Sequence, residues 1–213
     1  VYLFSFADAA FNTPTLEATI GKGYVGGKNL DVSGLEVGDS FGSELSLDGN
    51  RLAVGAPEDD GFGNTTSTAG AVYLISFSDS VFSGATLEAT IGKGYTGGKN
   101  LDVSGLETGD DFGRSVSLQG LQLAGGAGHD DGFGNTTSDS GAVHLFTFSD
   151  LVFNGAVLEG TIGKGYTGGK NFDVSGLEAN DAFGYRSVSV DGTRLAVGAQ
   201  DNDGFANTTA NSG

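Results

Sequence analysis

The sequence predicts an all-β fold built from three copies of one unit. Its 213 residues include 39 Gly and only 2 Pro, which is typical of many tight turns between short strands. No segment carries an apolar stripe of 3.6-residue period long enough for a helix. The string GKGY begins at Gly21, Gly92 and Gly163, a spacing of 71 residues both times. We therefore treat the chain as a single repeat array without a second domain, with sequence repeats 1–71, 72–142 and 143–213.

Each unit is expected to contain four strands in meander order. FGRSVSLQ alternates apolar and polar residues, and a short turn leads from it to LQLAGGA. In the outer copies this turn is Asp48-Gly49-Asn50 or Asp191-Gly192-Thr193, and Asp-Gly between strands favours a hairpin. An acidic, glycine-rich loop follows, and then come strands of the type AVYLISF and ATLEATI. A 17-residue connection, GKGYTGGKNLDVSGLET in the middle copy, leads to the next unit.

Composition excludes several classes of function. The formal net charge of −17 and the sequence pI near 4.1 argue against nucleic acid as a partner, since phosphate binding needs a basic face. The absence of cysteine excludes disulfides, thiolate metal sites and cysteine nucleophiles. No apolar run approaches the roughly 18 residues of a membrane span, so membrane insertion is not expected.

One glycine motif imitates a nucleotide-binding fingerprint. Residues 21–26 read G-K-G-Y-V-G, which fits G-x-G-x-x-G. A dinucleotide site needs these glycines to open a helix whose N-terminal amides hold the pyrophosphate. Here they lead into GKNLDVSGLE, which has no helical face. We interpret the segment as a glycine-rich connection between strands that needs positive φ angles.

The order of three short motifs resembles the FG-GAP repeat. They are Phe41-Gly42, then LAVGAP at 52–57, then GAVYL at 70–74, and they recur from Phe112-Gly113 and in part from Phe183-Gly184. The resemblance implies β-propeller-type blades of four antiparallel strands, as in integrin α heads and bacterial surface proteins. The three ~71-residue blades would form part of a larger ring or array, since propellers close with about four to eight blades.

The blade frames do not coincide with the sequence repeats. Counted from the Phe-Gly strand, the complete units are 39–109 and 110–180, and the unit 181–213 would be completed by a segment of the 1–38 type. That segment would come from a neighbouring chain or from elsewhere in the parent polypeptide. A two-chain, six-bladed ring and an open filament are both solutions.

The acidic loops are the candidate metal sites. In integrin-type repeats calcium lies between the first two strands of a blade, but here that position is only a tight turn, so the family's site cannot be carried over. Carboxylates, amide oxygens and glycine-freed carbonyls of the next loop could instead supply calcium with its six to eight oxygens. The alternative is turn capping and solvation. The candidate ligands are Asp59, Asp60, Asn64, Asp130, Asp131, Asn135, Asn202, Asp203 and Asn207.

Other repeated polar residues have structural explanations. Asp39, Asp110 and Asp181 precede Phe-Gly by two residues and are expected to cap turns rather than bind metal. All six lysines lie in the repeated connections, where we expect salt bridges to a neighbouring repeat's acidic loop, the alternative being contact with an anionic glycan. The tyrosines beside them could stack on sugar rings or pack within the loop.

Catalysis has no support in the sequence, because cysteine is absent, both histidines lie in the single unit 110–180 and no nucleophile elbow is present. The sequence therefore favours a non-catalytic structural or adhesive repeat module of a bacterial surface or secreted protein, extracellular or at the cell surface. It would be calcium-stabilised and self-assembling, with other copies of itself or neighbouring repeats as partners. The alternative is a ligand-recognition propeller that binds a glycan or a protein.

Overall fold

A computed structural model describes residues 1–204 and residue 213. The predicted calcium ligand Asn207 lies outside these residues. Within them the chain forms fifteen strands and no helix, which confirms the prediction of an all-β fold. No helix of the described residues could span a membrane.

The strands form four sheets. Sheet 1 contains β1 (Tyr2–Ser5), β2 (Thr15–Gly21) and β3 (Leu30–Asp31). Sheet 2 contains β4 (Glu44–Asp48), β5 (Arg51–Ala56), β6 (Ala71–Ser76), β7 (Thr86–Gly92) and β8 (Leu101–Asp102). Sheet 3 contains β9 (Phe112–Gln119), β10 (Gln122–Ala127), β11 (Ala142–Thr147), β12 (Val157–Gly163) and β13 (Phe172–Asp173). Sheet 4 contains β14 (Phe183–Asp191) and β15 (Arg194–Ala199).

Sheets 2 and 3 are antiparallel meanders with one additional short strand. Successive strands pair as neighbours, and β5 and β6 run in register from Arg51 opposite Ser76 to Ala56 opposite Ala71. The long connection was predicted as a loop, yet two of its residues pair parallel to the fourth strand, as β8 does with β7. The Asn100 side chain accepts a hydrogen bond from the Thr90 amide (2.8 Å), which fixes this return. A two-residue pairing held by one asparagine leaves no periodicity for sequence reasoning to detect.

The Phe-Gly motif begins a strand only where a preceding loop supports it. The amide of Phe112 donates to the carbonyl oxygen of Ala69 (3.0 Å), and β9 begins at Phe112. Phe183 bonds in the same way to Ser140 and begins β14. Phe41 has no such loop beside it in the described residues, and β4 begins three residues later, at Glu44. The start of each sheet thus depends on the preceding repeat.

The core lies between the faces of successive sheets. One cluster joins Leu3 and Ile20 of sheet 1 to Leu52, Val54 and other residues of sheet 2. A second cluster joins the opposite face of sheet 2 to sheet 3, with Leu74, Ile91, Phe112, Leu118 and Phe146 among its members. Sheet 2 therefore buries one apolar face against sheet 1 and the other against sheet 3, and β14 of sheet 4 contacts β9 and β10, so the sheets stack in chain order.

Candidate functional site

The motif glycines form the closest contact between neighbouring sheets. A Cβ atom on Gly55 would lie 2.0 Å from the carbonyl oxygen of Gly113 in the next sheet. A Cβ atom on Gly126 would lie 2.1 Å from the carbonyl oxygen of Gly184. Because no side chain fits at these distances, the glycines of Phe-Gly and of the second strand are required for the sheets to approach. The glycines of the Phe-Gly motif and of the second strand therefore serve the packing of the sheets rather than the binding of a ligand.

Serine and aspartate side chains of one sheet bond to the backbone of the next. The Ser46 hydroxyl accepts from the Leu118 amide (2.9 Å), and the Ser117 hydroxyl accepts from the Val190 amide (3.0 Å). The Asp48 carboxylate accepts from the Gly120 amide (2.8 Å) and also pairs with Arg51. The serine bonds recur one repeat apart, and each donor amide belongs to the first strand of the next sheet.

In the first two connections one lysine is held by two oxygens, whereas Lys170 of the third pairs with Glu159 alone among the described residues. Lys99 pairs with Glu88 of its own sheet and donates to the carbonyl oxygen of Val152 in the next sheet (2.7 Å). Lys28 makes the equivalent pair with Glu17 and donates to the carbonyl oxygen of Val81 (2.7 Å). The expectation of salt bridges to a neighbouring repeat's acidic loop was wrong. The partner carboxylates stand on fourth strands of the same repeat, because the connection folds back along that strand.

In sheets 2 and 3 a buried aromatic pair follows the third strand. Phe148 and Phe153 meet edge to face with ring centroids 5.1 Å apart, and both are buried. The guanidinium of Arg51, in the preceding sheet, lies 5.7 Å from the Phe153 ring centroid, within the range of a cation–π contact. The pair thereby packs one sheet against its predecessor.

In the first acidic loop, Asp59 is the centre of a buried hydrogen-bond network. Its carboxylate accepts from the hydroxyls of Tyr73 (2.7 Å) and Tyr95 (3.0 Å to each oxygen) and from the Gly61 amide (2.8 Å). Burial raises the pKa of Asp59, while these donors oppose the rise. Burial and the nearby carboxylate also raise the pKa of both tyrosines, so both are neutral donors.

The second acidic loop repeats this network with one donor replaced. Asp130 accepts from Tyr166 (2.9 and 3.1 Å) and from the Gly132 amide (2.8 Å), and burial raises its pKa. His144 stands where the first loop has Tyr73, and its Nδ1 pairs with the Thr161 hydroxyl instead (3.0 Å). Its Nε2 is buried without a hydrogen-bond partner in the described structure, and burial lowers the pKa of His144 to about 4.

The other candidate calcium ligands do not converge with these aspartates. Asp60 accepts from the Thr68 amide and Asp131 from the Asp139 amide, both at 2.8 Å. Asn64 and Asn135 are exposed residues with positive φ, and the Asn135 amide group donates to Glu107. Asn202 accepts from the Gly204 amide and donates to Asp181, while Asp203 follows it half-buried.

These loops are built as hydrogen-bond networks. No group of three or more His, Cys, Asp or Glu side chains in residues 1–204 and 213 is arranged to hold a metal ion. Neutral donors bond to both oxygens of Asp59 and of Asp130. In these two loops Asp60 and Asp131 are therefore the carboxylates better suited to bind a cation. Calcium binding here stays a prediction.

Asp39, Asp110 and Asp181 cap turns, as expected from the sequence. Each carboxylate accepts from the amide three residues earlier, at 2.6, 2.8 and 2.8 Å respectively. Burial raises the pKa of Asp110 to about 7.

Sequence reasoning missed the inter-sheet serines and the glutamates that hold the lysines. A serine at the same strand position in every repeat was the available signal.

Comparison with known families identifies the repeat. A family model described as FG-GAP repeat matches residues 32–75 and 101–146. Both segments cover the contact glycines and the second and third strands of a sheet, and they confirm the resemblance drawn from the motifs. No curated protein matches the chain.

Proposed function

Since this chain carries FG-GAP repeats, we propose that it is a non-catalytic structural and adhesive repeat module of a bacterial surface or secreted protein. FG-GAP repeats are generally structural or binding repeats and typically occur in extracellular or surface proteins. The stacked sheets would be blades of a β-propeller-type ring or array, and other copies of the chain or neighbouring repeats would be its partners.

One observation carries the structural part of this proposal. The repeated polar residues that could serve a ligand are instead bonded to other groups of the chain, either within one sheet or between neighbouring sheets. Lys99 spans two sheets, and the Asp59 carboxylate is enclosed by two tyrosines. A recognition surface would leave such groups accessible, whereas a scaffold uses them internally.

The test compares two lysines of one connection. Lys99→Met removes the bond to the next sheet together with the ion pair to Glu88, whereas Lys93→Met removes a bond to the Ser104 carbonyl within the same connection. A hydrogen bond from a charged group is worth about 1.5–3 kcal/mol when shielded and less near the surface, so we expect Lys99→Met to cost about 1 kcal/mol. The control should cost roughly half of that or less. Urea unfolding measures both, and an unchanged midpoint for Lys99→Met would refute the structural role.

Ligand recognition is the second candidate, and one groove favours it. A cavity of about 540 Å³ lies between residues 31–36 and the loop 61–64, with Phe62 and Tyr95 on its wall. Phe62 is exposed and meets Tyr95 edge to face, and such rings can stack on sugars. Binding of a glycan that is abolished by Phe62→Ala, with stability unchanged, would establish this function instead.

Calcium is the ion that we propose for the acidic loops. The support is the oxygen-rich composition around Asp60 and Asn64 and the hardness of carboxylate and amide ligands. In that case the metal would stabilise the folded chain outside the cell, where calcium is abundant.

A further inference from the structure

We propose that Ser43, Arg114 and Arg186 form a binding site for a uronic acid, a sugar that carries one carboxylate. The three residues occupy the same position in three successive repeats, directly after Phe-Gly, once the single inserted residue Tyr185 is set aside. They meet at a cavity of about 420 Å³ that is also lined by Glu44 and Tyr185. This inference goes beyond the structural function proposed above and does not depend on it.

Two departures from the repeat meet at this cavity. The third unit reads FGYRSVSV where the second reads FGRSVSL, and the pairing of β14 with β15 shifts in register between Phe183 and Val188, around the inserted Tyr185. A bulge of this kind redirects the side chains beside it and is common next to functional sites. The other departure is Gly128, which replaces the proline of LAVGAP. A Cβ atom on Gly128 would lie 2.4 Å from Cδ2 of Tyr185, so the inserted ring requires this glycine.

The inserted tyrosine holds two arginines in place. The Arg114 guanidinium donates to the Tyr185 hydroxyl (2.6 Å), and its central carbon lies 4.7 Å from the ring centroid. The guanidinium carbon of Arg186 lies 5.2 Å from the same centroid. The His129 ring packs against Tyr185 with centroids 4.9 Å apart. Both guanidinium groups are thus within cation–π range of one ring, which positions them beside the cavity.

Arg186 stands out among the arginines by its lack of a counter-charge. The other three arginines each pair with an aspartate, and Arg114 shares Asp111 (3.7 Å) with His129 (3.2 Å). Among the described residues, no carboxylate lies within ion-pair distance of Arg186. An anion bound at the cavity would offset the repulsion between the two guanidinium groups. Because a guanidinium presents its N–H groups as a planar fork, a carboxylate is the anion that it binds with two parallel hydrogen bonds.

The remaining lining residues select the kind of anion. Glu44 places a carboxylate in the same cavity, which disfavours a multiply charged group such as phosphate and can accept hydrogen bonds from hydroxyl groups. The Ser43 hydroxyl can donate or accept. Since all five lining side chains carry a polar group, an apolar peptide side chain would find no wall to pack against. One carboxylate among several hydroxyls is the chemistry of a uronic acid, and the cavity has the size of a small-molecule site.

The site lies on the facing sides of sheets 2, 3 and 4. Side chains alternate along β14, so Arg186 is on the same side as Val190, which lines a cavity together with Leu145 of sheet 3. Glu44 is on the same side of β4 as Ser46, whose hydroxyl bonds to sheet 3. The outer faces of sheets 1 and 4 contribute nothing to it. The proposed site is therefore independent of any repeats that precede or follow the chain.

An NMR titration tests the site, because the chain has only four arginines and their side-chain Nε–H signals can be followed one by one. Sodium glucuronate is the probe, and glucose is the neutral control with the same ring. We expect glucuronate to shift the signals of Arg114 and Arg186 to saturation and to leave those of Arg51 and Arg194 unchanged. Glucose should shift none of them at the same concentrations. Sodium acetate, a carboxylate without hydroxyls, should bind at least tenfold more weakly than glucuronate.

Variants of Arg186 separate recognition from general charge attraction. Arg186→Gln should weaken glucuronate binding roughly tenfold to a hundredfold, the loss expected for charge-assisted hydrogen bonds. Its side chain makes no hydrogen bond in the described structure, so we expect the variant to keep the melting temperature of the unmodified chain. Arg186→Lys keeps the charge without the fork and should also bind at least tenfold more weakly. Arg194→Gln removes an exposed arginine outside the cavity and should leave the affinity unchanged.

Three results would overturn the proposal: no saturable shift at Arg114 and Arg186, equal affinities for acetate and glucuronate, or equal losses for Arg186→Gln and Arg194→Gln. A glutamate-rich peptide that binds where glucuronate does not would also overturn it. A galacturonate tetramer distinguishes the sources of the acid, since tighter binding than the monosaccharide indicates a polymer and weaker binding indicates the free sugar acid. None of these results affects the Lys99 test, which measures stability and involves no residue of this cavity.

Discussion

Removal of the Tyr95 hydroxyl tests whether the acidic loops are structural networks. In Tyr95→Phe the ring stays, while the buried Asp59 carboxylate loses a donor that lies 3.0 Å from both of its oxygens. A hydrogen bond to a charged group contributes about 1.5–3 kcal/mol, and the lost partner leaves a buried acceptor underused. At about 2–4 °C per kcal/mol for a chain of this size, the melting temperature should fall by roughly 3–12 °C.

The assay is thermal unfolding at pH 8, followed by circular dichroism. Tyr24→Phe is the matched control, because Tyr24 occupies the same position of the first connection and has no carboxylate partner in the described residues. We expect the control to change stability by less than about 0.5 kcal/mol. The difference should also shrink in acid, since burial raises the pKa of Asp59 and its protonated form accepts weaker bonds. Equal losses for both variants would refute the reasoning.

Three further predictions concern the same loops. His144→Tyr should raise stability by about 1–2 kcal/mol in urea unfolding, because it removes the unpaired Nε2 and adds a donor for Asp130. The gain should grow as pH falls from 6.5 towards 4, because the unfolded chain takes up a proton on His144 that the buried residue does not, which destabilises the unmodified protein. A smaller gain in acid would contradict this. Asp110 has a folded pKa of about 7 against 3.8 unfolded, so its contribution to stability is complete below about pH 4 and is lost as pH rises through 7. Asp110→Asn should therefore flatten the decline in melting temperature between pH 5 and 8, and an unaltered pH profile would exclude this assignment. Millimolar calcium should raise the melting temperature by several degrees relative to chelator and reach saturation, as expected for a ligand of the folded state. Asp60→Asn should reduce that rise. If calcium does not change the melting temperature, it is removed from the proposal.

The repeat made much of the fold predictable. Three copies at a fixed spacing define the strand order, and Asp48-Gly49 defines the first hairpin, since both are local signals. The short strand β8 was not predictable, because its pairing depends on one asparagine that reaches back ten residues along the chain. The delayed start of β4 depends on the absence of a supporting loop among the described residues, which is a property of neighbours rather than of the Phe41-Gly42 sequence.

Composition alone led to a wrong prediction of the partners of the lysines. A lysine in an acidic chain predicts an acidic partner, but which one depends on where the connection folds. Lys99 meets Glu88 because the connection returns along β7, and its remaining bond goes to a backbone carbonyl that no sequence pattern marks. Likewise, Asp59 looks like a metal ligand in sequence, whereas the structure places two tyrosine hydroxyls on it. Such contacts join segments that are distant in sequence, and they appear only once the sheets have formed and stacked.

Amide hydrogen exchange measures the stacking of the sheets most directly. The Leu118 amide bonds to the Ser46 hydroxyl of the preceding sheet, and the Val190 amide bonds to Ser117 in the same way. Ser46→Ala should speed exchange at Leu118 roughly fivefold, equivalent to about 1 kcal/mol, and leave Val190 unchanged, while Ser117→Ala should do the reverse. If Ser46→Ala leaves the Leu118 amide as protected as before, the sheets are not held together as described.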